Sequence, residues 1–264
     1  MVPVTVVIPT LNEGHQIAEA VGALSWADEV IVVDGGSTDD TARLAEEKGA
    51  RVISLQGATI GGQRNAGIEA ARNRWILALD ADERPSPELP AELESTLAAP
   101  RHAAYTIHFR NFFLDRELRH GAFGRDWHVR LFTAERRYTT TWVHERLETI
   151  ADVGRLRATI HNRSYRDFRH YMRKVVQYAR WGADDLAARG RRVTMWDVVF
   201  RPWWRFVRDY FVWRGFLDGR EGFLLSAFAA VGTLMKYSYR VTEQDARGAE
   251  GTPPPRFSGR ARHP

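Results

Sequence analysis

Two aspartates one residue apart, Asp80 and Asp82, close the apolar run WILALDAD, and their spacing is the most direct sign of chemistry in this sequence. Carboxylates this close repel, so one resists ionisation unless a cation lies near them. A hard divalent cation relieves that conflict and also binds a diphosphate, holding it through one or two carboxylates plus phosphate oxygens. Phosphates held in this way leave more readily, because the metal absorbs the charge that develops on them. A D-x-D pair alone is common, and its position gives it weight. Two further polar sites end apolar runs in the same manner: Pro9-Thr10-Leu11-Asn12-Glu13 after the first run and Asp34 after EVIVVD. Turns favour Asp wherever a strand stops. Three such endings at one sheet edge point instead to a binding site, since open parallel sheets bind ligands at the carboxyl ends of their strands.

The elements that position these residues are legible along the first hundred positions. Val4–Pro9, Glu29–Asp34, Arg51–Leu55 and Trp75–Asp80 are short β-branched or apolar runs. Helical patterns at Gly14–Leu24, Thr38–Glu47 and Ile60–Ala71 separate them. This alternation predicts βαβ units and a mostly parallel sheet whose strands are buried on both faces. A helix is expected over residues 85–98, a strand over Tyr105–Phe109, and shorter strands over Val129–Phe132 and Val143–Leu147. From about Asp167 the period turns helical, predicting helices over Asp167–Arg189, Trp196–Leu217 and Gly222–Arg240. The Pro-rich end from Gln244 is expected to be a flexible tail.

Composition sets outer bounds. The 264 residues suit one large domain or a core domain with a helical appendage, and the absence of cysteine excludes disulfides and thiolate chemistry. The opening MVPVTVVIPT reads as a strand and not as a signal peptide. The net charge of +5 hides an asymmetry: residues 1–100 carry a net −9 and residues 101–264 a net +14. A basic second half implies an anionic partner, which could be phosphate, a membrane surface or nucleic acid.

VVIPTLNEG, EVIVVDGGSTDDT, GGQRNAGIEAA and WILALDADER, in this order and spacing, resemble the GT-A fold glycosyltransferases of family 2. DWHVRLF (Asp126–Phe132), Val143-His144-Glu145 and FLDGREGFLL (Phe216–Leu225) extend the likeness toward the bacterial lipopolysaccharide core β-glucosyltransferase-like group. The resemblance implies a Rossmann-like α/β domain over residues 1–164. A helical extension rich in aromatic residues and arginine would follow over 165–243, with the tail at 244–264. It implies that Pro9, Thr10 and Glu13 contact the nucleoside of a nucleotide-sugar and that Asp34 binds its base, uracil. It places Arg64 toward the nucleotide or its phosphates, Asp80 on the ribose or sugar, and Asp82 on a divalent metal (Mg²⁺ or Mn²⁺) and the diphosphate. The residues themselves support Asp34, Asp80 and Asp82 and say nothing of Arg64.

An inverting transfer also needs a carboxylate to take the proton of the attacking hydroxyl. Glu145, in the apolar setting TWVHERL, is the candidate, because partial burial raises a carboxylate toward a working base. A surface glutamate paired with Arg146 is the plainer reading. The resemblance also allows His144 or His161 to complete the metal shell, but no close H-x-x-x-H pattern supports this, and a structural or acceptor-side role is the favoured reading of each.

The stretch Trp196–Trp213 holds four tryptophans, and Asp197, Arg201, Arg205 and Arg208 fall on one helical stripe. Tryptophan with arginine on one helix suits an anionic membrane interface. Packing against the catalytic domain or a second copy of the chain explains the same pattern. The longest uncharged run nearby, Gly222–Met235, has 14 residues; a span needs about 20. The combined reading is an inverting, metal-dependent glycosyltransferase moving a sugar from a UDP-sugar to a lipid-linked saccharide such as lipopolysaccharide core. It would act peripherally at the cytoplasmic face of the membrane, with no nucleic-acid partner. A polyprenyl-phosphate glycosyltransferase, a phosphatase with its own D-x-D, or a non-catalytic nucleotide-binding module are the alternatives. The phosphatase family carries that pair on its first strand, whereas here it ends the fourth.

Overall fold

The computed structural model describes residues 1–113, 116–140, 146–165 and 168–250. Two compact units divide the chain, Met1–Phe168 and Arg169–Pro264.

The first unit begins with β1 (Val2–Thr10), α1 (Ile17–Gly22), β2 (Ala27–Asp34), α2 (Thr41–Glu47), β3 (Arg51–Ser54), α3 (Ile60–Ala70) and β4 (Trp75–Ala78). It continues with β5 (Glu83–Pro85), α4 (Leu89–Ala98), β6 (Ala104–Phe113), β7 (Arg116–Leu118), β8 (Trp127–Thr133) and β9 (Val153–Tyr165). The sheet order is β3-β2-β1-β4-β8-β6-β9-β5, with β7 on β6. The first four strands are mutually parallel, as their unbroken apolar runs predicted. β8 is antiparallel to both β4 and β6, while β9 returns parallel to β6.

Successive residues of β1 and β2 enter opposite faces. Val6, Ile8 and Val32 join one core cluster, and Val7, Ile31 and Val33 the other. Such strands have no polar face to alternate with. Gly67 of α3 lets that helix approach the sheet closely, since a Cβ there would lie 2.4 Å from Val7 Cγ1.

The position of β5 matters most for function. It follows β4 in the chain, yet it pairs with β9 at the far edge of the sheet. On a flat sheet four strand spacings would separate β4 from β5 by about 19 Å. The connection Leu79–Asp82 turns back on itself, with the Glu83 N–H donating to the Asp80 carbonyl at 3.0 Å, and cannot cover that distance. The sheet therefore curls, and the D-x-D segment bridges its centre and its edge. Of the expected strand Val143–Leu147, only Arg146 and Leu147 lie within the described residues, and Leu147 bridges Tyr138.

The second unit holds α5 (Phe168–Ala188), α6 (Met195–Val207) and α7 (Gly219–Glu250). α6 opens on a capping box between Thr194 and Asp197. The expected helix Trp196–Leu217 is not continuous. It passes into a π-turn over Arg208–Val212, and Arg214 then takes a left-handed φ of 59°. Gly215 and Gly222 pack backbone to backbone there, where a Cβ on Gly222 would fall 1.9 Å from the Gly215 carbonyl oxygen. The tail expected from Gln244 is also corrected, because α7 stays helical to Glu250. The Gln244 amide accepts from the Val193 N–H at 2.8 Å and donates to its carbonyl at 2.9 Å, anchoring the helix. No helix among the described residues is long and apolar enough to cross a membrane.

Candidate active site

The four parallel strands end at one edge, and two loops there are bound to each other. Asn12 adopts a left-handed φ of 57°, a conformation asparagine tolerates better than most residues. Its N–H donates to Ser37 Oγ at 2.8 Å, and its Oδ1 accepts from the Thr38 N–H at 2.9 Å. The Glu13 N–H donates to Thr41 Oγ1 at 2.8 Å. Asp34, paired with Thr10 across β1 and β2, is buried and accepts from the N–H groups of Gly36 and Ser37 and from the Ser37 hydroxyl. Pro9, Thr10, Glu13 and Asp34 thus belong to one braced edge, as their positions at strand ends predicted. Gly35 lies against Gln63 of α3, where a Cβ would come 2.2 Å from Nε2. That contact ties the edge to the next residue, Arg64.

Arg64 is only 5% exposed. One guanidinium N–H donates to Asp80 Oδ1 at 2.6 Å, and the group lies 4.9 Å above the Tyr138 ring. Tyr138 is clipped to α3 through both backbone groups by the Asn65 amide. A second guanidinium, Arg130 of β8, is 8% exposed. It reaches Glu83 Oε1 at 2.6 Å and Asp80 Oδ2 at 3.5 Å, over the Phe109 ring. The other Glu83 oxygen accepts the Asp80 N–H at 2.9 Å.

These contacts split the carboxylates. Burial acts to raise Asp80, but Arg64 and Arg130 outweigh it and hold Asp80 well below the usual carboxylate range. Burial, assisted by the charges of Asp80 and Asp82, pushes Glu83 up to about 8 despite Arg130. The repulsion read from the D-x-D spacing is therefore relieved at Asp80 by two guanidiniums, and the strain is displaced onto Glu83. Asp82 has no side-chain partner among the described residues.

Asp80, Asp82 and Glu83 each offer a carboxylate oxygen, and these oxygens lie within 4.8 Å of one another. Three hard oxygen donors at that spacing fit a divalent cation. With all three acids ionised around a dication, they sum with Arg64, Arg130 and the ion to +1, which favours a diphosphate. Glu83 and Arg130 received no role from the sequence. The signal was present in both cases, since Glu83 adjoins the D-x-D pair and Arg130 lies in DWHVRLF. Glu145 and His144 lie outside the described residues. His161 stands on β9 beside β5, with Nε2 3.3 Å from Arg110. Burial and the cations Arg110 and Arg163 lower its pKa.

A sheet whose parallel strands carry a carboxylate and guanidinium cluster at their carboxyl edge, beside the D-x-D segment, is the arrangement that the resemblance to GT-A glycosyltransferases implies. The sequence comparisons agree with that class. The family model "Glycosyl transferase family 2" matches residues 5–154, more than half of the chain, and this protein belongs to that family. An uncharacterized glycosyltransferase of Rickettsia felis is 30% identical over 253 residues, covering 89% of this chain and 88% of the relative. One of Mycobacterium bovis is 37% identical over 95 residues, covering 34% of this chain and 44% of the relative. Among solved structures, glucosyl-3-phosphoglycerate synthase of Mycobacterium tuberculosis with Mn²⁺, UDP-glucose and phosphoglyceric acid is 28% identical, with a TM-score of 0.36. That match covers 40% of this chain and 43% of that one. The protein is a glycosyltransferase with a nucleotide-sugar donor.

Proposed function

We propose that the enzyme performs an inverting transfer from a UDP-sugar to a lipid-linked saccharide, such as lipopolysaccharide core, at the cytoplasmic face of the membrane. The observation that carries this reading is the cluster of Asp80, Asp82 and Glu83 against Arg64 and Arg130 at the carboxyl edge of the sheet. Pro9, Thr10, Glu13 and Asp34 would hold the nucleoside there, and Asp80 the ribose or sugar. Arg64, fixed to Asp80, would orient that carboxylate and present positive charge toward the diphosphate. Asp82, with no competing partner, would hold Mg²⁺ or Mn²⁺. A cation held there supplies charge neutralisation for the departing UDP. Glu145 would accept the acceptor's hydroxyl proton while the oxygen bonds to the anomeric carbon and UDP leaves with the bonding pair.

The lipid-linked acceptor rests on the exposed aromatic residues of α6, described below. A screen of nucleotide-sugars for slow hydrolysis with Mg²⁺ or Mn²⁺ tests the donor, and UDP-sugar turnover is expected to vanish in Asp82→Asn. Undiminished turnover in that variant or in excess EDTA would remove the metal role. In Glu145→Gln, donor binding should persist while transfer falls by roughly 10²–10⁴-fold, the usual worth of a general base. Near-normal transfer would favour a lipid phosphate as acceptor, which needs no base.

A further inference from the structure

The second unit contains a cavity of about 440 Å³ between α6 and α7, and its walls are unusually cationic. Arg201, Arg205, Arg208 and Lys236 line it together with Phe200 and Trp204. Two acids answer these four cations. Arg201 pairs with Asp197 at 2.5 Å, while Arg205 and Arg208 share the buried Asp209 at 2.6 and 2.8 Å. Each guanidinium spends one edge on its acid and keeps further N–H donors, since arginine carries five.

Lys236 has no ion pair among the described residues. Its ammonium lies 5.8 Å from the Tyr237 ring centroid, and its stem is half-buried against Gly182, where a Cβ would meet Cδ at 2.8 Å. Burial, together with Arg189, Arg191 and Arg201, lowers its pKa against the pull of Asp185. The fold thus holds a lysine in a place that disfavours its charge, with Asp185 acting on it only from beyond ion-pair distance among the described residues. Lys236 and the three arginines line one space, and the N–H donors they do not spend on their acids suit a tetrahedral oxyanion.

The rim of the cavity indicates the source of that anion. On α6, Trp196, Val199 and Trp203 are 72%, 64% and 56% exposed. Trp196 stacks on Phe200 with ring planes 6° apart, so the exposed rings adjoin the cavity wall. A soluble anion needs no apolar rim, whereas indoles at headgroup depth around a cationic pocket suit a lipid surface. We propose that the cavity between α6 and α7 binds the phosphate of an anionic membrane lipid, with Trp196 and Trp203 seated among the headgroups. This deepens the membrane part of the proposed function and is independent of the donor site.

Co-sedimentation with phosphatidylcholine vesicles containing phosphatidic acid tests the proposal, with Lys236→Gln, Lys236→Arg and Arg192→Gln as variants. Arg192 is exposed and stands outside the cavity, so its variant carries the same net charge as Lys236→Gln. The wild type should bind, and Lys236→Gln should bind at least about five-fold more weakly, which corresponds to the ~1 kcal/mol of one basic residue at an anionic surface. Lys236→Arg and Arg192→Gln should retain binding, and Trp203→Ser should lose affinity for vesicles while leaving the cavity charge intact. An equal loss in Arg192→Gln would reveal diffuse attraction and overturn the pocket. Stabilisation of the wild type by inorganic phosphate without vesicle binding would overturn the lipid source. Melting curves establish that each variant is folded, and Lys236→Met, which keeps the stem, replaces the glutamine variant if that one unfolds. UDP-sugar hydrolysis should be unchanged in Lys236→Gln, so failure of the donor reading and failure of this one give separate signatures.

Discussion

Arg130→Met offers the sharpest test of the active-site electrostatics. The substitution keeps most of the stem over Phe109 but removes the guanidinium that reaches Glu83 at 2.6 Å and Asp80 at 3.5 Å. Breaking a buried ion pair from one side costs about 3–5 kcal/mol, because the remaining charge stays buried. Two features place this site near the lower value. Asp80 keeps Arg64, and Glu83 can take a proton while still accepting the Asp80 N–H. A loss of ~3 kcal/mol corresponds to a melting temperature lower by roughly 6–12 °C for a unit of this size. The pH dependence has a definite sign. Glu83 is already raised from 4.5 to about 8, and removal of Arg130 raises it further. A group with a raised folded-state pKa contributes stability below its unfolded value, and that stability is lost as pH rises through the folded value. Near pH 7 Glu83 is largely protonated in both proteins. Above pH 8 the wild type can ionise it against Arg130 and the variant cannot, so the deficit should widen. Thermal unfolding across pH 6 to 9 measures this, and Glu83→Gln added to Arg130→Met should flatten the widening. A deficit of only a degree or two that ignores pH would refute the assignment of Arg130 as the counter-charge of Glu83.

Two further outcomes follow from packing. Gly67→Ala would set a Cβ 2.4 Å from Val7 Cγ1 and 3.1 Å from Val33 Cγ2. It should cost about 1–3 kcal/mol by overpacking and raise KM for the donor by displacing Arg64, with partial recovery on adding Val7→Ala. Arg205→Gln with Arg208→Gln should lower the melting temperature, because Asp209, 3% exposed, loses both partners. Asp209→Asn should recover part of it, and an unchanged melting curve in the double variant would show that these pairs contribute nothing.

The sequence by itself determined the parallel half of the sheet and the edge where the candidate site residues gather. Strands buried on both faces must be apolar throughout, and their polar endings mark where the backbone leaves the core. That made Thr10, Asp34, Asp80 and Asp82 legible without coordinates. The partners of those residues depended on tertiary structure. Glu83 and Arg130 lie 47 positions apart and meet because the sheet curls, a property of pairing order that no local pattern encodes. The cationic stripe of α6 was equally visible, but its orientation was not. Helical periodicity shows that Arg201, Arg205 and Arg208 share a face, and only the packing of α7 shows that this face lines a cavity. There Arg205 and Arg208 are held by a buried aspartate, while Trp203 stands exposed outside the cavity. Periodicity encodes which residues share a surface, and the neighbour that covers it is set by chain reversal at Arg214 and Gly215, where the close approach of two backbones required glycine.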